Sequence, residues 1–316
     1  MPSVAETAYP RLKNQISSKE LLEIYTPTDL ELQFASRHTK RVVAKLGFLA
    51  LLKTFQRLGY FVLVKNVPDV IIKHIAGAAK IGVIPKKLEN YDTSGTRWRH
   101  LTLIRDYLII IPYGVAARRI IVKSMAQAAQ TKNDLADLIN VAIEELVHHQ
   151  YDFPVFTTLV RAARRVRAAI SQIFYREVAS SLNLETKLML DGLLQTSILN
   201  LKTPWYELKQ DPGKPILKNL TALIWRLKWL DEINLGAKIL INIPDSKIKY
   251  FAAEAMTLDA ARMKELEANK RYTLALALIA TQAARTLDDI AEMFIKRMLR
   301  IHQNGQEALA SYRQEH

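Results

Sequence analysis

The stretch Pro154-Val155-Phe156-Thr157-Thr158-Leu159-Val160-Arg161-Ala162-Ala163-Arg164-Arg165-Val166-Arg167 sets the fold class. Stepped at 100° per residue, Leu159, Val160 and Val166 fall on one side, joined further along by Ile170, Ile173 and Phe174. Arg161, Arg164 and Arg165 fall on the opposite arc with Gln172 and Arg176. This is the pattern of a helix that packs one face and turns guanidinium groups outward, with Thr157 or Thr158 able to cap its start. A guanidinium fork matches phosphate oxygens and also reads guanine edges, so the stripe is a candidate DNA contact; a solvated face or internal ion pairs is the alternative.

The same period runs through the rest of the chain. Helices are expected over about 39–58, 69–81, 96–109, 114–130, 133–149, 155–181, 184–195, 216–233, 245–256 and 270–301, with short helical pieces between 18 and 35. Sustained period-two alternation is missing, so the fold class is all-α, with little or no sheet. A strand is plausible at Lys238-Ile239-Leu240-Ile241-Asn242-Ile243. Start signals include Thr26-Pro27-Thr28-Asp29, with Thr26 as the cap and Pro27 at the first helical position, and Thr286-Leu287-Asp288-Asp289. Loops fall at Lys65–Pro68, Gly82–Pro85, Tyr151–Pro154 and Gln210–Pro215. A boundary near Thr131–Asp134 would divide the chain into two helix-turn-helix-like modules, residues 1–130 and 131–316.

Of 316 residues, 45 are Lys or Arg against 31 Asp or Glu, a net charge of +14. Both halves share the excess: 21 basic and 13 acidic residues in 1–150, then 24 and 18 in 151–316. A charge spread over a folded chain points to a polyanionic partner, nucleic acid before a membrane surface. There is no cysteine, hence no disulfide or thiolate chemistry. The N-terminus is no signal peptide, no apolar run is long enough to cross a membrane, and the cytoplasm is the expected compartment.

Two further basic features stand out. Thr93-Ser94-Gly95-Thr96-Arg97-Trp98-Arg99-His100-Leu101 opens a helix with Arg97, Arg99 and His100 in its first turns and Arg105 beyond. A helix start favours anions, and these cations suit phosphate and base edges. Lys214 and Lys218 project from the stiff loop around Pro212, Gly213 and Pro215, where a plain interhelical loop explains them equally well. Arg37, Arg41 and Lys45, four residues apart, form a basic stripe if one helix spans them; a solvated face is the alternative. Enzyme signatures are missing: no phosphate-cradling glycine loop, no nucleophile elbow, and the adjacent His148-His149 lack zinc-helix spacing. Trp225 and Trp229, with Leu223, Leu227 and Leu230, have core spacing.

These segments resemble the N-terminal region of transposases of the Tn-three family, the replicative class II bacterial transposons, from about Tyr25 to Ile301. Leu46 to Gln56 is similar to the family's LGFALLLKYFQ segment, and Asn66-Val67-Pro68-Asp69-Val70 to its DVP turn. Tyr91 to His100, Phe153 to Arg167, Pro212 to Leu220 and Arg271-Tyr272 follow in the family's order. The chain departs from the pattern at Trp98, where a polar or aliphatic residue is expected. The resemblance implies helical modules that bind the terminal inverted repeats of a transposon as double-stranded DNA. Helices starting near Thr96 and Thr158 would enter or flank successive major grooves. Arg97, Arg99, His100, Arg105, Arg161, Arg164, Arg165 and Arg167 would carry contacts, with Lys214, Lys218, Arg37 and Arg41 in support. It implies that the RNase H-like catalytic core lies downstream of His316, that a divalent metal such as Mg²⁺ belongs to that core, and that dimerisation rests on regions beyond this chain. No membrane partner is expected, and the compartment is the bacterial cytoplasm, at the nucleoid. A free-standing repressor of transposition is the alternative function.

Overall fold

The structure, a computed structural model, describes residues 2–13, 15–82, 86–196, 202–233 and 239–315. Among them are fourteen α-helices, several short 3₁₀ turns and no sheet; a single bridge joins Ile111 to Tyr151. The chain forms two compact units, residues 1–129 with 134–167, and residues 130–133 with 168–316.

The first unit contains α1 (Ser18–Glu20), α2 (Asp29–His38), α3 (Val42–Leu58), α4 (Asp69–Ala78), α5 (Gly95–Leu108), α6 (Val115–Ala128), α7 (Leu135–His148) and the first half of α8 (Phe156–Ser180). Helix α3 is its axis. Leu46 to Phe55 is buried without interruption, because α2, α4, α5 and the turns at Leu21–Tyr25 and Lys86–Tyr91 all pack on it. Gly47 makes room for one of these contacts: a Cβ there would lie 2.8 Å from the Tyr91 ring. Even the polar side chains of α3 are engaged, Lys53 meeting buried Glu31 at 3.3 Å while Gln56 donates to the same carboxylate at 2.7 Å. Gly59 ends the helix in the left-handed region at φ 71°, and its carbonyl accepts the Phe153 N–H at 2.8 Å. That bond ties the loop before α8 to the end of α3.

The second unit comprises the rest of α8, α9 (Leu184–Gly192), α10 (Pro204–Glu207), α11 (Leu217–Ile233), α12 (Asp245–Thr257), α13 (Ala260–Glu265) and α14 (Ala268–Glu315). Tyr272 to Ile279 of α14 are buried, with α11 and α12 packed on this helix. Trp205 is buried and donates its indole N–H to the Leu258 carbonyl at 2.9 Å.

Several sequence expectations shift here. The N-cap of α2 is Thr28, not Thr26: its hydroxyl accepts the Glu31 N–H at 3.3 Å and the Glu31 carboxylate accepts the Thr28 N–H at 2.7 Å, closing a capping box. Thr286 caps nothing. It is buried inside α14, which starts at Ala268 and runs through it. Thr157 and Thr158 lie within the first turn of α8. Leu240–Asn242 form a 3₁₀ turn rather than a strand, and Lys238 lies outside the described residues. Of the loop expected at Gly82–Pro85, residues 83–85 also lie outside them.

The two units do not divide at 130/131. Helix α7 packs on α6 and stays in the first unit. The linker residues 130–133 group with the second, where buried Lys247 donates to Asn133 Oδ1 at 2.6 Å and Ser246 to the Thr131 carbonyl at 2.6 Å. The main division falls between Arg167 and Ala168, in the middle of α8.

Candidate nucleic-acid interface

Ser94 starts α5 by accepting the Arg97 N–H at 3.2 Å. From there the helix separates its basic residues by angle. Arg97, His100, Leu101 and Ile104 share the buried face, at the i, i+3, i+4, i+7 spacing of an inward stripe. Trp98, Arg99 and Thr102 face outward, with the Trp98 side 66% exposed.

Three of the expected contacts are therefore engaged inside the unit. The buried Arg97 Nε lies 3.5 Å from Asp92, and its Nη2 donates to the Val62 carbonyl at 3.3 Å. Asp92 also accepts the N–H groups of Val64 and Lys65 at 2.8 and 3.0 Å, so Arg97 completes the fastening of the turn after α3. His100 is buried, its Nδ1 2.7 Å from the Tyr91 hydroxyl and its ring edge-on to Phe48. Burial first, then the charges of Arg99 and His38, lower its pKa to about 4. Arg105 grips Asp152 through Nε at 3.0 Å and Nη2 at 2.7 Å, over the face of Phe61. Asp152 spends its other oxygen on the Tyr113 N–H. Arg97, His100 and Arg105, expected to contact DNA, are thus engaged as internal ties, each with a partner that burial makes costly to abandon.

On α8 the arginines stay outward. Leu159, Val160, Ala163 and Val166 are buried, while Arg161 and Arg165 are exposed and Arg164 half-buried. Arg161, Arg164 and Arg165 form no ion pair among the described residues; Arg161 Nε donates back to the Thr157 carbonyl at 3.3 Å. Arg167 is half-buried and already engaged. Ile173, expected to face inward, is exposed.

Arg37 and Arg41 are exposed, but no single helix carries them. Helix α2 stops at His38, Thr39 turns extended and bonds the Ala35 carbonyl at 2.6 Å, and Arg41 is the N-cap of α3. Lys214 and Lys218 are exposed where α11 begins. The loop between them is fixed, Asn219 donating to the Lys214 carbonyl at 2.8 Å, next to Gly213 at φ 74°.

Exposed basic residues that the sequence reading missed are Arg118, Arg119 and Lys123 on α6. Their signal was present in the spacing, since Arg119 and Lys123 fall opposite Ala117, Ile121, Ser124 and Met125, the buried face of that helix, and Arg118 falls at its edge. Among the described residues no group of three or more His, Cys, Asp or Glu is arranged to hold a metal, and no helix is long and apolar enough to cross a membrane.

A family model described as a domain of unknown function, DUF4158, matches residues 2–166, and so ends where the first compact unit ends. The chain belongs to this family. Beyond the DUF4158 region the similarity continues. The chain is 25% identical over 289 residues to the transposase for transposon Tn1546 of Enterococcus faecium, covering 90% of this chain and 29% of that protein. It is 23% identical over 279 residues to the transposase for transposon Tn501 of Pseudomonas aeruginosa and 24% over 283 residues to that of Tn21 of Escherichia coli, each covering 88% of this chain and 28% of the relative. This DUF4158 protein is thus homologous to the N-terminal region of Tn-three-family transposases, and spans under a third of the length of these curated relatives.

Proposed function

We propose that this DUF4158 chain binds double-stranded DNA sequence-specifically at the terminal inverted repeats of a transposon, as the N-terminal part of a transposase. The observation that carries the reading is the match of about nine-tenths of the chain to one end of several transposases. Its composition supports this, with a +14 charge shared by both halves and a set of cations left without carboxylate partners.

In this reading Arg161, Arg164 and Arg165 on α8 meet the duplex, with Arg99 and the outward Trp98 and Thr102 on α5. Lys214 and Lys218 hold phosphates in the second unit, and Arg37 and Arg41 add backbone contacts. Phosphate contacts position the protein and base contacts specify the site, and arginine serves either purpose. Strand cleavage and its divalent metal belong to other parts of the transposase, so the chain alone binds without cutting.

The test is a binding titration of the purified chain against the terminal inverted repeat of the element that encodes it and against a scrambled duplex of equal composition. The reading predicts preference for the repeat, no strand nicking with added Mg²⁺, and a steep loss of affinity with salt. Equal affinity for both duplexes would remove the sequence-specific part.

A further inference from the structure

Core spacing assigns Trp225 to the interior, but the structure leaves it 66% exposed, although Leu223 and Leu230 on the same helix are buried. The Lys228 ammonium lies 5.0 Å from the centre of its ring. Lys218 is two helical turns before Trp225 on the same face, and Leu217 and Ile224 are exposed beside it. Lys214, Lys218 and Lys228 form no ion pair among the described residues. An exposed indole between unpaired ammonium groups is not the composition of a packed face; it offers an aromatic surface and positive charge together.

The surroundings indicate what approaches. Along α11, Asp231 and Glu232 end the cationic stretch one turn after Lys228. On the other side of Trp225 lies a cleft of about 440 Å³, lined by Trp229, Ala222 and Asn219 but also by Glu207 and Asp211. Arg226, which also borders the cleft, is taken up by the carbonyls of Leu208 and Gln210 and by Gln282. Asp211 is itself paired with Arg285 at 3.4 Å, so the cleft side holds its charges in internal contacts while the lysine side leaves its ammonium groups unpaired, among the described residues, beside the indole. Lys218 and Lys228 are ten residues apart, roughly 15 Å along the helix axis. At that spacing both ammonium groups reach phosphates while the ring between them meets sugars and base edges.

We infer that Trp225 packs against the sugars and base edges of bound double-stranded DNA, with Lys218 and Lys228 on flanking phosphates. Aromatic packing of this kind tolerates many sequences, because every base has an apolar face and edge to offer. The inference rests on the DNA-binding reading above and adds an aromatic contact in the second unit to it.

The experiment is fluorescence anisotropy with the full chain and a labelled duplex selected by the wild-type protein from a random pool. If the wild type enriches and binds no duplex, the DNA-binding reading itself fails, before any variant is made. If it binds, W225A should bind about tenfold more weakly with an unchanged salt slope, and W225F within about threefold of wild type. K228A should lower the salt slope by about one. Circular dichroism should show wild-type helicity for W225A; if it does not, W225Q carries the same prediction. Wild-type affinity of a folded W225A or W225Q chain across the salt range would overturn the inference.

Discussion

Arg97 and Arg99 sit two residues apart in the first turn of α5, and 200° of rotation gives them different roles. Arg97 is buried against Asp92, whereas Arg99 faces solvent. Charge alone does not separate them; the apolar positions Leu101 and Ile104, four and seven residues after Arg97, do. Arg105 is harder to read, because its partner Asp152 is 47 residues away and no local pattern links the two. The roles separate experimentally. Arg105→Ala leaves the Asp152 carboxylate buried and without its guanidinium, so it should cost about 3 kcal/mol in urea unfolding. Arg165→Ala should leave the urea midpoint unchanged and weaken DNA binding. His100 adds a pH dependence. Its folded pKa of about 4 lies below the ordinary value of about 6.5 for an unfolded chain. The unfolded state therefore takes up the proton first, and stability is full above pH 6.5 and falls as the pH drops towards 4. Urea midpoints between pH 7 and 4.5 should fall, and His100→Gln should flatten that slope.

Among the elements, helix existence was legible and helix ends were less so. The 3.6-residue period located the helices from α2 to α9 and from α11, α12 and α14, since burial of an apolar face decides whether a helix forms. Ends depend on single hydrogen bonds, which is why Thr28 rather than Thr26 caps α2 and why Thr286 vanishes into α14. The break between Arg37 and Arg41 agrees with the separate helix expected from about residue 39 rather than with the stripe, and Thr39, bonding back to the Ala35 carbonyl, marks it. Helix α3 offers a direct test of packing. Gly47→Ala places a methyl 2.8 Å from the Tyr91 ring and should destabilise the chain by about 1–3 kcal/mol in urea unfolding, helix propensity notwithstanding. For α8, replacing Arg164 and Arg165 together by Ala should leave helicity intact by circular dichroism and lower the salt slope of DNA binding by about two. An unchanged slope would make the stripe a solvated face.

For the molecule as a whole, composition pointed to a polyanion and the order of motifs to a transposase end. The compact units do not follow the expected boundary: the polar linker at 130–133 groups with the second unit, whereas the α6–α7 pair keeps the chain in the first unit to Arg167. The cations that remain outward in each unit, Arg161, Arg164 and Arg165 in one and Lys214 and Lys218 in the other, are what the proposed function requires. The most direct test is a salt titration of the whole chain on terminal-repeat DNA and on a scrambled duplex. If about 6–10 phosphates are neutralised, affinity for the repeat should fall roughly 10³–10⁵-fold between 50 and 200 mM salt. At each salt concentration the repeat should bind at least about tenfold more tightly than the scrambled duplex. Identical affinities for the two duplexes throughout would contradict the account.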